Sequence, residues 1–94
     1  MLHRGQDNAL VRYDLGNEYL KLKEFDKAAE HLRKATEFDR NYSAAWKSLG
    51  KALASAGKNA EAIKAYEMGI RVAEEKGDVQ AVKEMRVFLR RLQT

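Results

Sequence analysis

The chain contains no cysteine and no proline. Without cysteine there is neither a disulfide framework nor a thiolate metal site, which fits a reducing compartment and makes the cytoplasm the expected location. Without proline, and with Ala, Leu, Lys and Glu abundant, the composition favours helices and disfavours the turn-dense all-β folds. Long hydrophobic runs are missing as well. The segment Met1 to Asn8 has no apolar core of the signal-peptide kind, and no later stretch is long and apolar enough to span a bilayer, so a membrane partner is not expected. A length of 94 residues suits one domain, taken as 1–94.

What is present is a modest positive charge, +4, with a local origin. From Lys76 onward, Lys76, Lys83, Arg86, Arg90 and Arg91 face two acidic residues, Asp78 and Glu84. A basic stripe of this kind can attract nucleic acid, but a solvated helix face explains it as well, and nucleic acid is a minor expectation.

Sliding the sequence against itself gives one register. Leu15-Gly16-Asn17 falls on Leu49-Gly50-Lys51, Ala28 on Ala62, Leu32 on Tyr66 and Ala35 on Gly69, all at an offset of 34. That is the length of a helix-turn-helix unit that cannot bury its apolar face alone and must stack on a neighbour. Gly16, Gly50, Ala28 and Ala62 lie where two paired helices come too close for larger side chains.

On these residues the chain resembles the tetratricopeptide-repeat (TPR) family. The first unit, about 9–42, supplies Leu15, Gly16, Tyr19, Ala28, Leu32 and Ala35; the second, about 43–76, supplies Trp46, Leu49, Gly50, Leu53, Ala62, Tyr66 and Gly69. The resemblance implies an all-α, right-handed solenoid of two helix-turn-helix repeats plus a capping helix over about 78–92, five helices in all. Two positions depart from the family pattern. Arg12 stands where the second unit has Trp46, which suggests a first helix facing water, and Arg40 and Glu74 replace the proline that usually follows the second helix.

Caps and breakers predict the boundaries. Asp7 caps a first helix running to about Lys23, Asp26 caps a second ending near Asp39, Ser43 opens the third and Gly57 closes it. Asn59 caps the fourth, Gly77 ends it, and the last helix starts at Asp78. The last helix does not continue the repeat in register, because the Leu-Gly positions would fall on Lys83 and Glu84. At 100° per residue, Ala81, Val82, Met85, Phe88, Leu89 and Leu92 share an arc of about 120°, with Lys83, Arg86 and Arg90 opposite. The expected packing is apolar toward the second repeat and basic toward water, with Val87 exposed.

Trp46, Tyr19, Tyr66, Phe25 and Phe38 recur at helical spacing and are assigned to the core, leaving Tyr13 and Tyr42 as the exposed aromatics. The resemblance further implies that first-helix residues line a concave, peptide-binding groove. Carried over position by position these are Leu10, Tyr13, Asn17, Leu20 and Lys21, then Ala44, Lys47, Lys51, Ala54 and Ser55. Lys47 and Lys51, one turn apart, suit a peptide bearing acidic groups. The carboxylate clamp that some TPR domains use for a chain terminus is not expected, since only Asn17 matches while Tyr13, Ser48, Asp78 and Val82 occupy its other positions.

No enzyme, cofactor or metal chemistry is expected. His3 and His31 are far apart in sequence, with His31 at a helix edge, and Asp14 and Glu18 form a carboxylate pair without an enclosing pocket. No phosphate-cradling glycine loop and no Ser-His-Asp arrangement occurs. The expected function is a protein-interaction module or adaptor that binds a peptide in the groove. The alternative is a homodimer joined through Phe88, Val87 and the apolar arc of the last helix, and a lesser one is nucleic-acid binding through Lys83, Arg86, Arg90 and Arg91.

Overall fold

The computed structural model describes residues 7–94; His3, one of the two histidines considered above, lies outside them. Five helices follow one another: α1 (Ala9–Lys21), α2 (Phe25–Phe38), α3 (Ser43–Ser55), α4 (Asn59–Lys76) and α5 (Val79–Gln93). Each packs on the next, and α3 also touches both α1 and α5. The helices therefore form two layers, α1, α3 and α5 in one and α2 and α4 in the other. A short dimension of 18 Å is the thickness of two such layers.

The core sits where the layers meet. Ala28, Leu32, Leu49, Ala52, Leu53 and Ala62 form its centre, and Tyr66, Ala73, Val82 and Met85 continue it toward α5. The small residues do what the 34-residue pattern expects. Ala28 and Ala62 are wholly buried, Gly16 lies against Leu32, and a Cβ placed on Gly50 would fall 2.5 Å from the ring of Tyr66. Gly69 plays the same part for α5: a Cβ there would meet Met85 Sδ at 2.5 Å and Trp46 Cβ at 2.9 Å.

The helix ends correct several expectations. Asn8, not Asp7, caps α1: its Oδ1 accepts from the Val11 amide at 3.0 Å. The helix stops at Lys21, because Lys23 turns to a φ of 59° and the chain reverses there. At α2 the cap is Glu24, with no side-chain hydrogen bond, and Asp26 sits in the first turn, where its negative charge meets the positive helix end and pairs with Lys58 at 3.6 Å. Lys58, one residue before Asn59, caps α4. Ser43 opens α3 and Asp39 ends α2 as expected. Gly77 ends α4 in the left-handed region, φ 75°, and the Asp78 carboxylate accepts from the Ala81 amide at 3.1 Å to start α5.

Side-chain placement brings three further corrections. Arg12 does not face open water. Its side chain is 15% exposed, donates to both carboxylate oxygens of Asp7 and donates from Nη1 to His31 Nδ1 at 2.9 Å. Phe38, the last residue of α2, is 52% exposed, so it is not core. Tyr13 and Tyr42 are half-buried against each other, ring centroids 4.9 Å apart, rather than exposed. The last helix behaves as its pattern expects: Val82 and Met85 are buried, while Lys83, Arg86, Val87 and Arg90 are exposed.

Candidate functional site

Because α1 and α3 lie side by side in one layer, their outward faces bound an open cleft of about 740 Å³. Of the residues assigned to a groove, Tyr13, Asn17, Leu20 and Lys21 come to this cleft from α1, and Lys47 and Lys51 from α3. Leu10, Ala44, Ala54 and Ser55 do not line it. Leu10 projects to solvent at the start of α1, 59% exposed. Ala44 lines a smaller hollow between α3 and α5, Ala54 packs against the core cluster, and Ser55 is exposed at the end of its helix.

Three lining residues escaped the sequence reading. Asp14, Glu18 and Ser48 each follow a groove position directly, and all three line the cleft. The signal was adjacency: the lining arc is wider than five positions per repeat. Asp14 and Glu18 thus share the cleft with Lys47 and Lys51, so the charge is mixed and divided, acidic along α1 and basic along α3. Lys21 pairs with Glu18 on its own helix at 3.3 Å.

At the other end the groove face continues onto α5. Lys47 Nζ donates to Glu84 Oε1 at 2.8 Å, across a sequence separation of 37. Lys51 Nζ lies 5.2 Å from the centroid of Phe88, at the same separation, and the Arg91 guanidinium carbon lies 5.9 Å from that ring. The separation exceeds the 34-residue period because α4, at 18 residues, is longer than the 14-residue α2. That longer helix hid the alignment of α5 with α3 from a search at fixed period.

The electrostatics follow the contacts. The hydrogen bond from Lys47 holds the Glu84 carboxyl below its ordinary range. Burial, then the neighbouring Tyr13 and Asp14, raises the Tyr42 hydroxyl. Tyr66, under Phe88 with centroids 5.8 Å apart, is pushed up by burial to about 12 and remains a neutral phenol. Away from the cleft, burial and then the Arg12 charge lower the His31 imidazole, which stacks on Tyr19 at 5.3 Å. Among the described residues no cluster of three metal-binding side chains occurs, no buried side-chain polar atom lacks a partner, and no helix is long and apolar enough to cross a membrane.

The tetratricopeptide-repeat family model matches residues 13–80, which spans both helix pairs and the cleft between them. The chain belongs to the TPR family. It is 52% identical over 92 residues to the TPR repeat-containing protein PA0015 of Pseudomonas aeruginosa, covering 98% of this chain and 88% of that one. The solution structure of protein BPP2914 from Bordetella parapertussis is 50% identical, with a TM-score of 0.83 over 96% of this chain and 78% of that one. The crystal structure of a tetratricopeptide repeat domain protein from Salinibacter ruber reaches the same TM-score, 0.83, at 27% identity, covering 92% of this chain and 97% of that one. TPR domains generally mediate protein–protein interaction and are typically non-catalytic. In TPR terms, the five sequentially packed helices are two repeats followed by a helix that covers the second.

Proposed function

We propose that this TPR chain is a protein-interaction module or adaptor, working in the cytoplasm, whose cleft between α1 and α3 takes up a peptide segment of a partner protein. The observation that carries the reading is the cleft itself. It is open and about 740 Å³ in volume, lined by Tyr13 and Leu20 for apolar contact, by Asn17 and Ser48 for hydrogen bonds, and by charges of both signs. An open trough of this make-up suits an extended segment, whose backbone groups need polar partners along its length, better than a small molecule that has to be enclosed. The homodimer alternative draws less support. Phe88, which it needs, is half-buried between Tyr66 and two cations, leaving Val79 and Val87, two turns apart, as the exposed large apolar groups on that helix.

The test uses a partner co-purified from the native cell and titrated against the wild-type chain and Asn17→Arg. Asn17 is half-buried and lines the cleft, so an arginine there fills it while leaving the core unchanged. The expected result is at least about a tenfold loss of affinity with an unchanged helical circular-dichroism spectrum, about 1.4 kcal/mol. Unchanged affinity places binding elsewhere on the molecule and removes the proposal.

A further inference from the structure

The chain has seven ion pairs among its described residues, and two of them hold cations of the groove face: Lys21 with Glu18 and Lys47 with Glu84. Lys51 and Arg91 are different. They come from two helices, α3 and α5, converge on the same half-buried ring of Phe88, and neither has a carboxylate within ion-pair distance among the described residues. Glu84, bonded to Lys47, is nevertheless near enough to Lys51 to feel its charge. On the far wall of the cleft the situation is reversed, for Asp14 is an exposed carboxylate with no cation partner among the described residues, while Glu18 is paired with Lys21 at 3.3 Å.

We infer that this groove face reads the charge order of its peptide: a basic residue seats beside Asp14 on α1, and an acidic residue seats between Lys51 and Arg91 over Phe88 at α5. The inference rests on the proposed peptide-binding function and gives it a direction. Lys47 is not the acid-reading residue, because Glu84 already occupies it at 2.8 Å. Lys51 and Arg91 supply point charge and planar donors respectively, and the face of Phe88 holds both without compensating their charge. An incoming carboxylate therefore meets two cations without first displacing a carboxylate of the protein itself.

A nucleic acid fits this arrangement poorly. A strand laid along the groove face would carry its phosphates past Lys51 and Arg91 but also past Asp14 and Glu18, where like charges repel. A peptide with separated charges of opposite sign satisfies both ends, and the mismatch penalty on a reversed or uniformly charged peptide gives selectivity beyond raw affinity.

The experiment selects binders from a library of random short displayed peptides on the full chain, then repeats the selection on Lys51→Glu/Arg91→Glu and on Asp14→Lys. Circular dichroism checks that each variant folds, and the neutral pair Lys51→Gln/Arg91→Gln stands in if the reversed pair does not. The expected wild-type selection is peptides with an acidic residue toward one end and a basic residue toward the other. The α5 variants should lose the acidic preference and the α1 variant the basic one, with about tenfold weaker binding of the wild-type peptides in each case. Selected peptides that bind through the cleft but keep the same charges in every variant overturn the charge-order inference and leave the peptide-binding function standing. No selected peptides at all, or binding that Asn17→Arg does not touch, overturns both. A labelled single-stranded oligonucleotide bound more tightly than the selected peptides at physiological salt also overturns the inference in favour of a phosphate-binding face.

Discussion

α1 and α3 occupy equivalent places in a 34-residue pattern, yet α3 buries seven of its residues and α1 buries Gly16 alone. The difference comes from neighbours rather than from residue type. α3 is flanked by α1 and α5 in its own layer and roofed by α2 and α4, while α1 has company on one side and below. In a stacked repeat, stability is set by interfaces, so an end helix contributes fewer of them than a central one. The same logic separates the two ends: α1 finishes its open side with the Asp7–Arg12–His31 contacts, while α5 finishes the other with buried Val82 and Met85 and a polar outer face.

The sharpest way to break this comparison is to cut the same side chain from both repeats. Leu49, 2% exposed, and Leu15, half-buried, are a repeat apart. Leu49→Ala should cost about 3 kcal/mol, since it leaves a cavity between α3, α2 and α4, whereas Leu15→Ala should cost about 1 kcal/mol in urea unfolding. Equal losses would mean that the two repeats are energetically equivalent despite their different surroundings.

A smaller contrast tests how far each helix can yield. Alanine at Gly50 gains helix propensity, about 1 kcal/mol, but drives a methyl into the Tyr66 ring, an overpacking cost of about 1 to 3 kcal/mol. Because α3 is hemmed in, Gly50→Ala should destabilise by about 1 to 2 kcal/mol. Gly16→Ala drives a methyl against the wholly buried Leu32 and should cost less, because α1 is flanked in its layer on one side only. A Gly16→Ala variant as damaged as Gly50→Ala would show that α1 is held as tightly as α3.

How much of this was legible beforehand depends on what each feature rests on. The repeat, the close-packed glycines and the Gly77 turn were readable because sterics at a helix crossing or a positive φ leave few residue choices. Caps at Asp7, Asp26 and Asn59 were each placed on a good capping residue one or two positions from the true helix boundary, because the loop's path, not the side chain's propensity, decides which residue precedes the first turn. Phe38 looked like core since its spacing was right, but the spacing cannot reveal that it falls on the last residue of α2, with its ring half in solvent. Of the cleft lining, Tyr13, Asn17, Leu20, Lys21, Lys47 and Lys51 were in reach from family positions. Glu84, Phe88 and Arg91 were not, because the longer α4 moves α5 off the repeat period.

The smallest expected effect concerns the α1 edge. His31 is faced by Arg12 and Tyr19 from α1, by Asp7 before it and by Glu30 on its own helix, and its folded pKa lies below the ordinary 6.5. A depressed folded pKa means that the unfolded chain takes up the proton first. The neutral imidazole's contribution is therefore complete above pH 6.5 and is lost as pH falls from there through the folded value. The melting temperature should decline slightly between about pH 7 and 5, and His31→Gln should flatten that part of the profile. A rise in stability on acidification, removed by the same substitution, would reverse the assignment of Arg12 as donor to a neutral ring.

The claim that the α1–α3 face is the working surface is tested most directly by chemical-shift mapping of a selected peptide titrated into the isotopically labelled chain. The account predicts that the largest backbone shifts fall on Tyr13, Asn17, Lys47, Ser48 and Lys51 and extend to Phe88 and Arg91, while Ala29, Arg33 and Glu37 on the opposite layer stay where they were. Shifts concentrated on α2, or on Lys83, Arg86 and Arg90 with the cleft residues unmoved, would contradict it.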